Sequence, residues 1–296
     1  MAIAWVFPGQ GSQQTGMADG LLELPGARER FGRASALLDR DLLAICSGTA
    51  EGELADLNDT RNTQPALFVV ESLLVDALRA QGRRADLLAG HSLGELVALY
   101  AAGVFDADTG LVLVRRRSEL MAAAGGGAMT AVMGFDRAEL ERLVAASEGV
   151  VIANDNSSAQ VVLSGTPEAV AQVSAALHCK RAVPLAVSGA FHSPFMAEAA
   201  EAFAAELDAL PFADAGVPVL SNADPTPTIS GAALKERLRL QMTTGVRWRE
   251  TMEALAAAGV DTAVEIGPGS VLSGLFKRSG TAIGSARIAG AADLGT

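Results

Sequence analysis

The sequence is poor in aromatic residues, cysteines and basic charge. Aromatic side chains make up 4% of its 296 residues, with a single tyrosine, although 50% of the residues are hydrophobic. The core is therefore expected to consist mainly of alanine, leucine and valine, with the 31 glycines supplying turns and close approaches. A chain of this length is compatible with one large α/β domain that carries a smaller inserted domain.

The charge and the cysteine content exclude several classes of function. The formal net charge is −11, whereas a general nucleic-acid-binding protein needs clustered Lys and Arg, so no nucleic-acid partner is expected. Cys46 and Cys179 are far apart in the sequence and have no metal-ligand spacing. This predicts two unpaired, buried thiols rather than a disulfide or a zinc site.

Long hydrophobic runs are also missing. No apolar run reaches the length needed to span a bilayer, so no membrane partner is expected. The first residues are apolar, but they lack a basic segment and a small-residue cleavage site, which predicts a first strand rather than a signal peptide. A reducing cytoplasm is the predicted location.

Short apolar runs alternate with longer helical segments along the chain. Strands are predicted at 3–7, 86–89, 150–153, 161–164, 182–187, 217–221 and 262–266. Helices are predicted at 63–81, 93–102, 107–124, 137–145, 167–177, 194–207 and 248–258. This alternation predicts an α/β fold whose main sheet is largely parallel.

The pattern changes after the three consecutive glycines at 125–127, which form a flexible joint. From about residue 128 to residue 187 the predicted order is strand, helix, strand, strand, helix, strand, which is typical of a ferredoxin-like domain. We therefore predict an α/β-hydrolase-like large domain with a mainly parallel sheet, formed by residues 1–127 and 188–296. A ferredoxin-like small domain of residues 128–187 is inserted into it, and a cleft lies between the two.

Residues 90–94, Gly-His-Ser-Leu-Gly, match the G-x-S-x-G nucleophile elbow. An apolar strand is predicted before them and an apolar-faced helix after them, which is the context that this motif requires. Such a turn exposes the hydroxyl of Ser92, and the backbone N–H groups that follow favour the negative charge of a tetrahedral intermediate. The alternative is a glycine-rich turn with a serine cap, but the context favours a nucleophile.

A catalytic serine needs a base, and the chain has three histidines. His91 neighbours the serine on the elbow, where its side chain is expected to point elsewhere. His178 follows a predicted helix and is expected to compensate the helix dipole or to be solvated. His192 remains, in a loop just after the small domain returns to the large one. A loop histidine is more often structural or solvated, but the elbow favours His192 as the base.

These residues resemble the malonyl-CoA:acyl-carrier-protein transacylase family, which is related to the acyltransferase domains of polyketide and fatty-acid synthases. The resemblance covers nearly the whole chain through ordered motifs. The motifs are Phe-Pro-Gly-Gln-Gly-Ser-Gln at 7–13, Gly-His-Ser-Leu-Gly-Glu at 90–95, Arg-Arg-Arg-Ser at 115–118, Ala-Asn at 153–154, Val-Val-Leu-Ser-Gly at 161–165, Gly-Ala-Phe-His-Ser-Pro at 189–194, Gln241 before Val-Arg-Trp at 246–248, and Glu-Ile-Gly-Pro-Gly at 265–269.

The resemblance implies a role for several residues of the reaction centre. The backbone N–H groups of Gln10 and Leu93 are expected to form the oxyanion hole, although residues 8–11 also fit a simple tight turn after the first strand. Ser92 and His192 are expected to form a catalytic dyad. The main-chain carbonyl of Gln241 is expected to orient the imidazole, so that no acidic triad member is needed.

The resemblance also implies how substrates are selected. Arg117 matches the arginine that binds the malonyl carboxylate, a task for which a planar guanidinium suits both oxygens; without the resemblance, a solvated arginine would be preferred. Phe191 is expected to limit the α-substituent and so to favour malonyl over methylmalonyl, or else to be a packing aromatic. Lys180 and Arg181 resemble the carrier-docking region, with solvated surface cations as the alternative.

The function implied by the resemblance is a ping-pong transfer. The malonyl group passes from malonyl-CoA through a Ser92 ester to the phosphopantetheine thiol of acyl carrier protein, for fatty-acid synthesis, and no metal or redox cofactor is required. A trans-acting polyketide acyltransferase, a serine thioesterase or hydrolase, and an inactive carrier-binding module are the alternatives. A monomer is the default expectation.

Overall fold

The computed structural model describes residues 1–187 and 189–295. The strands are β1 Ala2–Phe7, β2 Leu87–Gly90, β3 Ala128–Phe135, β4 Val150–Ser157, β5 Gln160–Gly165, β6 Cys179–Pro184, β7 Val219–Leu220, β8 Val260–Ile266 and β9 Gly284–Ile288. The helices are α1 Ala27–Leu38, α2 Leu42–Ser47, α3 Thr60–Ala80, α4 Gly94–Ala101, α5 Ala107–Ala123, α6 Arg137–Ala145, α7 Pro167–Ala176, α8 Ala197–Ala209, α9 Gly231–Leu240, α10 Trp248–Ala257 and α11 Val271–Arg278.

Side-chain caps define where several helices begin. Asp59 precedes α3 and Asp106 precedes α5, and each carboxylate accepts a hydrogen bond from a backbone N–H of the first turn. Thr166 and Ser230 do the same for α7 and α9. These caps satisfy donors that the first turn of a helix leaves without a partner. In the described part of the chain, none of the helices is both long and apolar enough to cross a membrane.

The main sheet is parallel and places two loops side by side. Its five strands run in the order β7-β2-β1-β8-β9, and every neighbouring pair is parallel. Phe7 at the end of β1 is paired with Gly90 at the end of β2. Because carboxyl ends of parallel strands meet at one edge, the loop after β1 and the turn after β2 are neighbours. This sheet confirms the predicted fold class for the large part of the chain.

The second sheet is antiparallel, with four strands in the order β4-β5-β3-β6. Together with α6 and α7 it has the β-α-β-β-α-β element order of a ferredoxin-like fold, as predicted. Val132, Leu140 and Val161 belong to its own buried core. The exact domain boundaries stay a prediction, and Ser188 and Thr296, at the ends of the second predicted stretch of the large domain, lie outside the described residues.

Strand β6 begins at Cys179, earlier than the predicted start at residue 182. It forms the edge of the small sheet and pairs only with β3 in the part of the chain that is described. Lys180 and Arg181 therefore lie on an exposed edge strand, where charged side chains discourage pairing with other chains. The prediction that both thiols are buried was wrong for Cys179, which is half-buried at this edge.

Candidate active site

Ser92 lies on a sharp turn between β2 and α4. Its φ of 52° is in the left-handed region, which non-glycine residues seldom adopt outside constrained sites. The turn requires flanking residues without side chains, because a Cβ on Gly90 would lie 1.9 Å from the carbonyl carbon of Gly94. A Cβ on Gly94 would lie 2.1 Å from the oxygen of Phe7. The two glycines of the motif thus let the serine protrude at the edge of the sheet.

Asn222, just after β7, fixes this turn from the neighbouring strand. Its Oδ1 accepts the N–H of Ser92 at 2.7 Å, and its Nδ2 donates to the carbonyl of Gly90 at 2.5 Å. The side chain therefore bridges both ends of the strained segment. A buried amide that satisfies two backbone groups in this way offsets the cost of the unusual φ.

His192 contacts the serine and a main-chain carbonyl. Its Nε2 lies 2.8 Å from Ser92 Oγ, and its Nδ1 lies 2.8 Å from the carbonyl oxygen of Gln241. Because a carbonyl only accepts hydrogen bonds, the proton of the neutral ring is on Nδ1, and Nε2 can accept the serine hydroxyl. The imidazole is 4% exposed. The structure therefore brings together the three residues that the resemblance connected.

The imidazole is neutral in this environment. Burial, and after it the positive charge of Arg117, lowers the pKa of His192 to about 3. A neutral ring can take a proton from a hydroxyl at physiological pH. Asp155 and Asp224 pair with arginines instead of this histidine. Glu265 accepts two backbone N–H groups at the start of α11, so none of these three acids orients the ring.

Arg117, on α5, points at the nucleophile from inside the protein. Its Nη1 donates to Gln64 Oε1 at 2.6 Å, and its Nη2 donates to Gln241 Oε1 at 2.9 Å and to Ser92 Oγ at 3.1 Å. Only 1% of the residue is exposed, whereas Arg115 and the next arginine are half-buried, as the helical rotation of about 100° per residue requires. Burial lowers the pKa of Arg117 to about 10, so the guanidinium stays charged at neutral pH.

The serine lines a small cavity that shares lining residues with a larger one. The inner cavity, of about 90 Å³, is lined by Ser92, His192 and Arg117 together with apolar side chains. The outer cavity, of about 550 Å³, shares Gln10 and Phe191 with it. Ser92 thus lies in a small cavity that also contains a buried guanidinium, next to a wider cavity.

Two backbone N–H groups lie beside the serine with no protein acceptor in the part of the chain that is described: those of Gln10 and Leu93. Both residues line the inner cavity. The loop after β1 packs directly on the elbow, since a Cβ on Gly9 would lie 2.5 Å from the carbonyl oxygen of His91. Two such donors, one at the start of α4 and one in the loop that packs against it, are suited to bind an oxyanion.

The remaining predicted residues lie at different distances from this centre. Phe191 is buried and lines both cavities. Lys180 and Arg181 are exposed on β6 and belong to neither cavity lining. His91 points away from the nucleophile, with Nε2 2.8 Å from Asn156 Oδ1.

His178 is exposed and lies beside Glu139. The hydrogen bond and the negative charge of Glu139 raise the pKa of His178. It takes no part in the constellation around the serine, and its exposed side chain fits the solvated alternative of the sequence analysis. Among the described residues, no cluster of three or more His, Cys, Asp or Glu side chains is arranged to hold a metal ion.

The sequence alone did not indicate four residues of the hydrogen-bond network around Ser92 and Arg117. They are Gln64, Glu95, Asn222 and the side chain of Gln241, as distinct from its carbonyl. Glu95 is the last residue of the motif at 90–95, but its position in the sequence does not indicate its contacts. Asn222 follows a short apolar strand. Its polar side chain at the carboxyl end of a parallel strand is the one feature of the sequence that could have indicated a role in the site.

Comparison with known proteins identifies the family of this chain. The sequence profile of the acyl transferase domain matches residues 4–293. The chain belongs to the acyl transferase family. A malonyl CoA-acyl carrier protein transacylase from Synechocystis is 52% identical over 279 residues, covering 94% of each chain. The crystal structure of the Synechocystis sp. PCC 6803 malonyl-CoA:ACP transacylase superposes with a TM-score of 0.95 at 50% identity, covering 100% of this chain and 99% of that one.

A further member of the family is a malonyl-transacylase solved in complex with a type II PKS acyl-carrier protein. It has a TM-score of 0.92 and 38% identity, and the match covers 99% of this chain and 98% of that one. These matches span essentially the whole chain. They confirm the family that the ordered motifs indicated.

Proposed function

We propose that this protein transfers a malonyl group from malonyl-CoA to the phosphopantetheine thiol of acyl carrier protein, through an ester on Ser92. The observation that carries the proposal is the buried guanidinium of Arg117, which lies within hydrogen-bond distance of the serine oxygen. A generic esterase needs no buried cation beside its nucleophile. A substrate with a carboxylate two bonds from the reacting carbonyl needs such a cation, because its negative charge is costly to bury without a partner.

The first half-reaction forms the acyl-enzyme. His192 Nε2 takes the hydroxyl proton while Ser92 Oγ attacks the thioester carbonyl, and the negative charge that develops on the carbonyl oxygen is stabilised by the N–H groups of Gln10 and Leu93. The carbon–sulfur bond then breaks, and the proton on His192 passes to the leaving CoA sulfur. The carbonyl of Gln241 keeps the ring in one tautomer and one plane throughout.

The second half-reaction reverses the first with a different thiol. The phosphopantetheine thiol gives its proton to His192 and attacks the serine ester. The ester bond breaks and Ser92 recovers its proton from the imidazole. Atoms and charges balance in both halves with these groups alone, so the proposed reaction requires no metal or redox cofactor.

Substrate selection is proposed to rest on Arg117 and Phe191. Arg117 binds the malonyl carboxylate through its planar fork, and Phe191 restricts the space beside the α-carbon. Lys180 and Arg181, on the exposed strand β6, are proposed as part of the surface that meets the acidic carrier protein. Fatty-acid synthesis, a cytoplasmic location and a monomeric state complete the proposal.

A hydrolase and an inactive binding module are not favoured. The similar proteins reported above are transacylases, and the dyad is assembled with hydrogen-bond geometry. A transferase must keep its ester long enough for a thiol to arrive, whereas a hydrolase releases free malonate without a carrier.

Intact-mass measurement tests the proposal. Mixing with malonyl-CoA should add one malonyl group to the protein, and subsequent addition of holo carrier protein should remove it and load the carrier. Ser92→Ala should abolish the addition. Persistent loading of Ser92→Ala, or rapid release of malonate in the absence of carrier, would contradict the assignment.

A further inference from the structure

Glu95 is a fully buried carboxylate next to the active site that the proposed reaction does not use. It lies in the first turn of α4, three residues after the nucleophile, and is 0% exposed. It lines neither of the two cavities. Its Oε2 accepts two hydrogen bonds, from the N–H of Asn222 at 3.0 Å and from Nε2 of Gln241 at 2.7 Å.

The contact with Gln241 leads to the arginine that is proposed to bind the substrate. Gln241 Nε2 donates to Glu95 Oε2 and also to the carbonyl of Ser92 at 2.9 Å. Because both partners are acceptors, the amide nitrogen must face them, and the amide oxygen is turned towards Arg117. That oxygen accepts Nε of Arg117 at 3.2 Å and Nη2 at 2.9 Å. Glu95 thus determines which end of the amide meets the guanidinium.

The contact with Asn222 leads to the nucleophile. Asn222, held by its backbone N–H, uses its side chain to bridge Ser92 and Gly90. One carboxylate oxygen is therefore the junction of two hydrogen-bonded arms. One arm ends on the guanidinium and the other ends on the elbow, so a single buried group is bonded to both, in addition to the direct contact between Arg117 and Ser92.

We propose that Glu95 is a positioning residue that sets acyl-group selectivity, by holding Arg117 through Gln241 at a fixed position relative to Ser92. This inference rests on the proposed function, because it concerns how the malonyl carboxylate is met. Glu95 itself touches no substrate. Its effect is expected in the ratio of malonyl to acetyl loading, which a purely structural role would leave unchanged.

The test measures second-order rate constants for acylation of Ser92 by malonyl-CoA and by acetyl-CoA, using intact mass. Glu95→Ala removes the junction and is expected to lower the malonyl-to-acetyl ratio by about tenfold or more, because Arg117 loses its fixed partner. Glu95→Asp withdraws the oxygen by one methylene and should act in the same direction. Glu95→Gln keeps an acceptor oxygen and should keep the ratio within about threefold of the original.

Glu71→Ala is the matched control. Glu71 is also a fully buried glutamate, on α3, and has no hydrogen bond to Arg117 or Gln241 among the described residues. Its replacement removes a buried carboxyl group without touching either arm of the network, and it should leave the malonyl-to-acetyl ratio unchanged. If Glu95→Ala does not fold, Glu95→Asp provides the test.

Two results would overturn the inference. One is an unchanged ratio in folded Glu95→Ala or Glu95→Asp, and the other is a Glu95→Gln ratio as low as that of Glu95→Ala. Failure of the proposed function looks different, because it is seen without any change at Glu95: the unmodified protein would form no malonyl ester or would release malonate without carrier, or Ser92→Ala would still be loaded.

Discussion

Replacing Arg117 with alanine is expected to remove the preference for malonyl while leaving acetyl loading nearly intact. The guanidinium is buried and donates to Gln64, Gln241 and Ser92, so a malonyl carboxylate in the inner cavity replaces some of these partners in a site with little water. Leaving one member of such a buried ion pair without its partner costs about 3–5 kcal/mol. That corresponds to a loss of roughly 10²–10³-fold or more in malonyl acylation.

Acetyl-CoA has no carboxylate to bind, so its acylation rate should change by less than about tenfold. Arg117→Lys keeps the charge but replaces a planar fork with a single ammonium group. Because the arginine contacts three side chains in different directions, lysine cannot reproduce them, and malonyl acylation should fall to a level between those of arginine and alanine.

The assay is rapid-quench acylation with each thioester, followed by intact-mass analysis, with circular dichroism to check folding. Arg116→Ala is the matched control, because Arg116 is the preceding arginine on the same helix and is only half-buried. It should leave both rates within about threefold of the original. An equal loss of malonyl and acetyl acylation in folded Arg117→Ala would refute the carboxylate role.

Two further predictions concern the base and the oxyanion loop. Burial and Arg117 lower the pKa of His192 to about 3 from an ordinary 6.5, so kcat/KM for acylation should stay constant as the pH falls below 6.5. Arg117→Ala should shift the acidic limb of this pH profile to higher pH. The unfolded chain binds the proton and the folded one does not, so the His192 contribution to stability is complete above pH 6.5. As the pH falls towards 3, this contribution to the free energy of unfolding is lost at about 1.4 kcal/mol per pH unit. His192→Gln should remove that slope when the free energy of unfolding is measured by denaturant titration at several pH values. The prediction is contradicted if the two proteins give parallel curves of unfolding free energy against pH. Gly9→Ala places a Cβ 2.5 Å from the His91 oxygen and should cost about 1–3 kcal/mol of stability and reduce kcat, whereas Gly32→Ala, with open space around it, should do neither.

The features that could be predicted from the sequence are the local ones. The elbow is a strand, a glycine-flanked turn and a helix within a few residues, so its signal is contained in one segment. The ferredoxin-like order was likewise visible as a change of pattern after the glycines at 125–127. His192 could be chosen by elimination, because only three histidines are present.

The features that could not be predicted depend on contacts between distant segments. Strand β9 lies at the edge of the main sheet and is largely exposed, so it lacks the apolar run that marks buried strands. Glu95 and Asn222 are 127 positions apart, and no periodicity relates them. Helical rotation of about 100° per residue prevents the arginines at 115–117 from all facing the site, but it does not say which one does; Arg117 was indicated by the family resemblance and not by the pattern.

The position of Arg117 gives it two opposing effects on the same reaction. As the proposed selector it attracts the malonyl carboxylate, but as a nearby cation it disfavours the imidazolium that His192 forms in the proposed reaction, and so it weakens the proposed base in the free protein. A bound malonyl carboxylate cancels that charge, whereas an acetyl group does not. The pKa of His192 is therefore expected to rise when the correct acyl group is in place. Selectivity then acts on the proton transfer as well as on binding, which places part of the discrimination in the transition state, where it accelerates the chemical step.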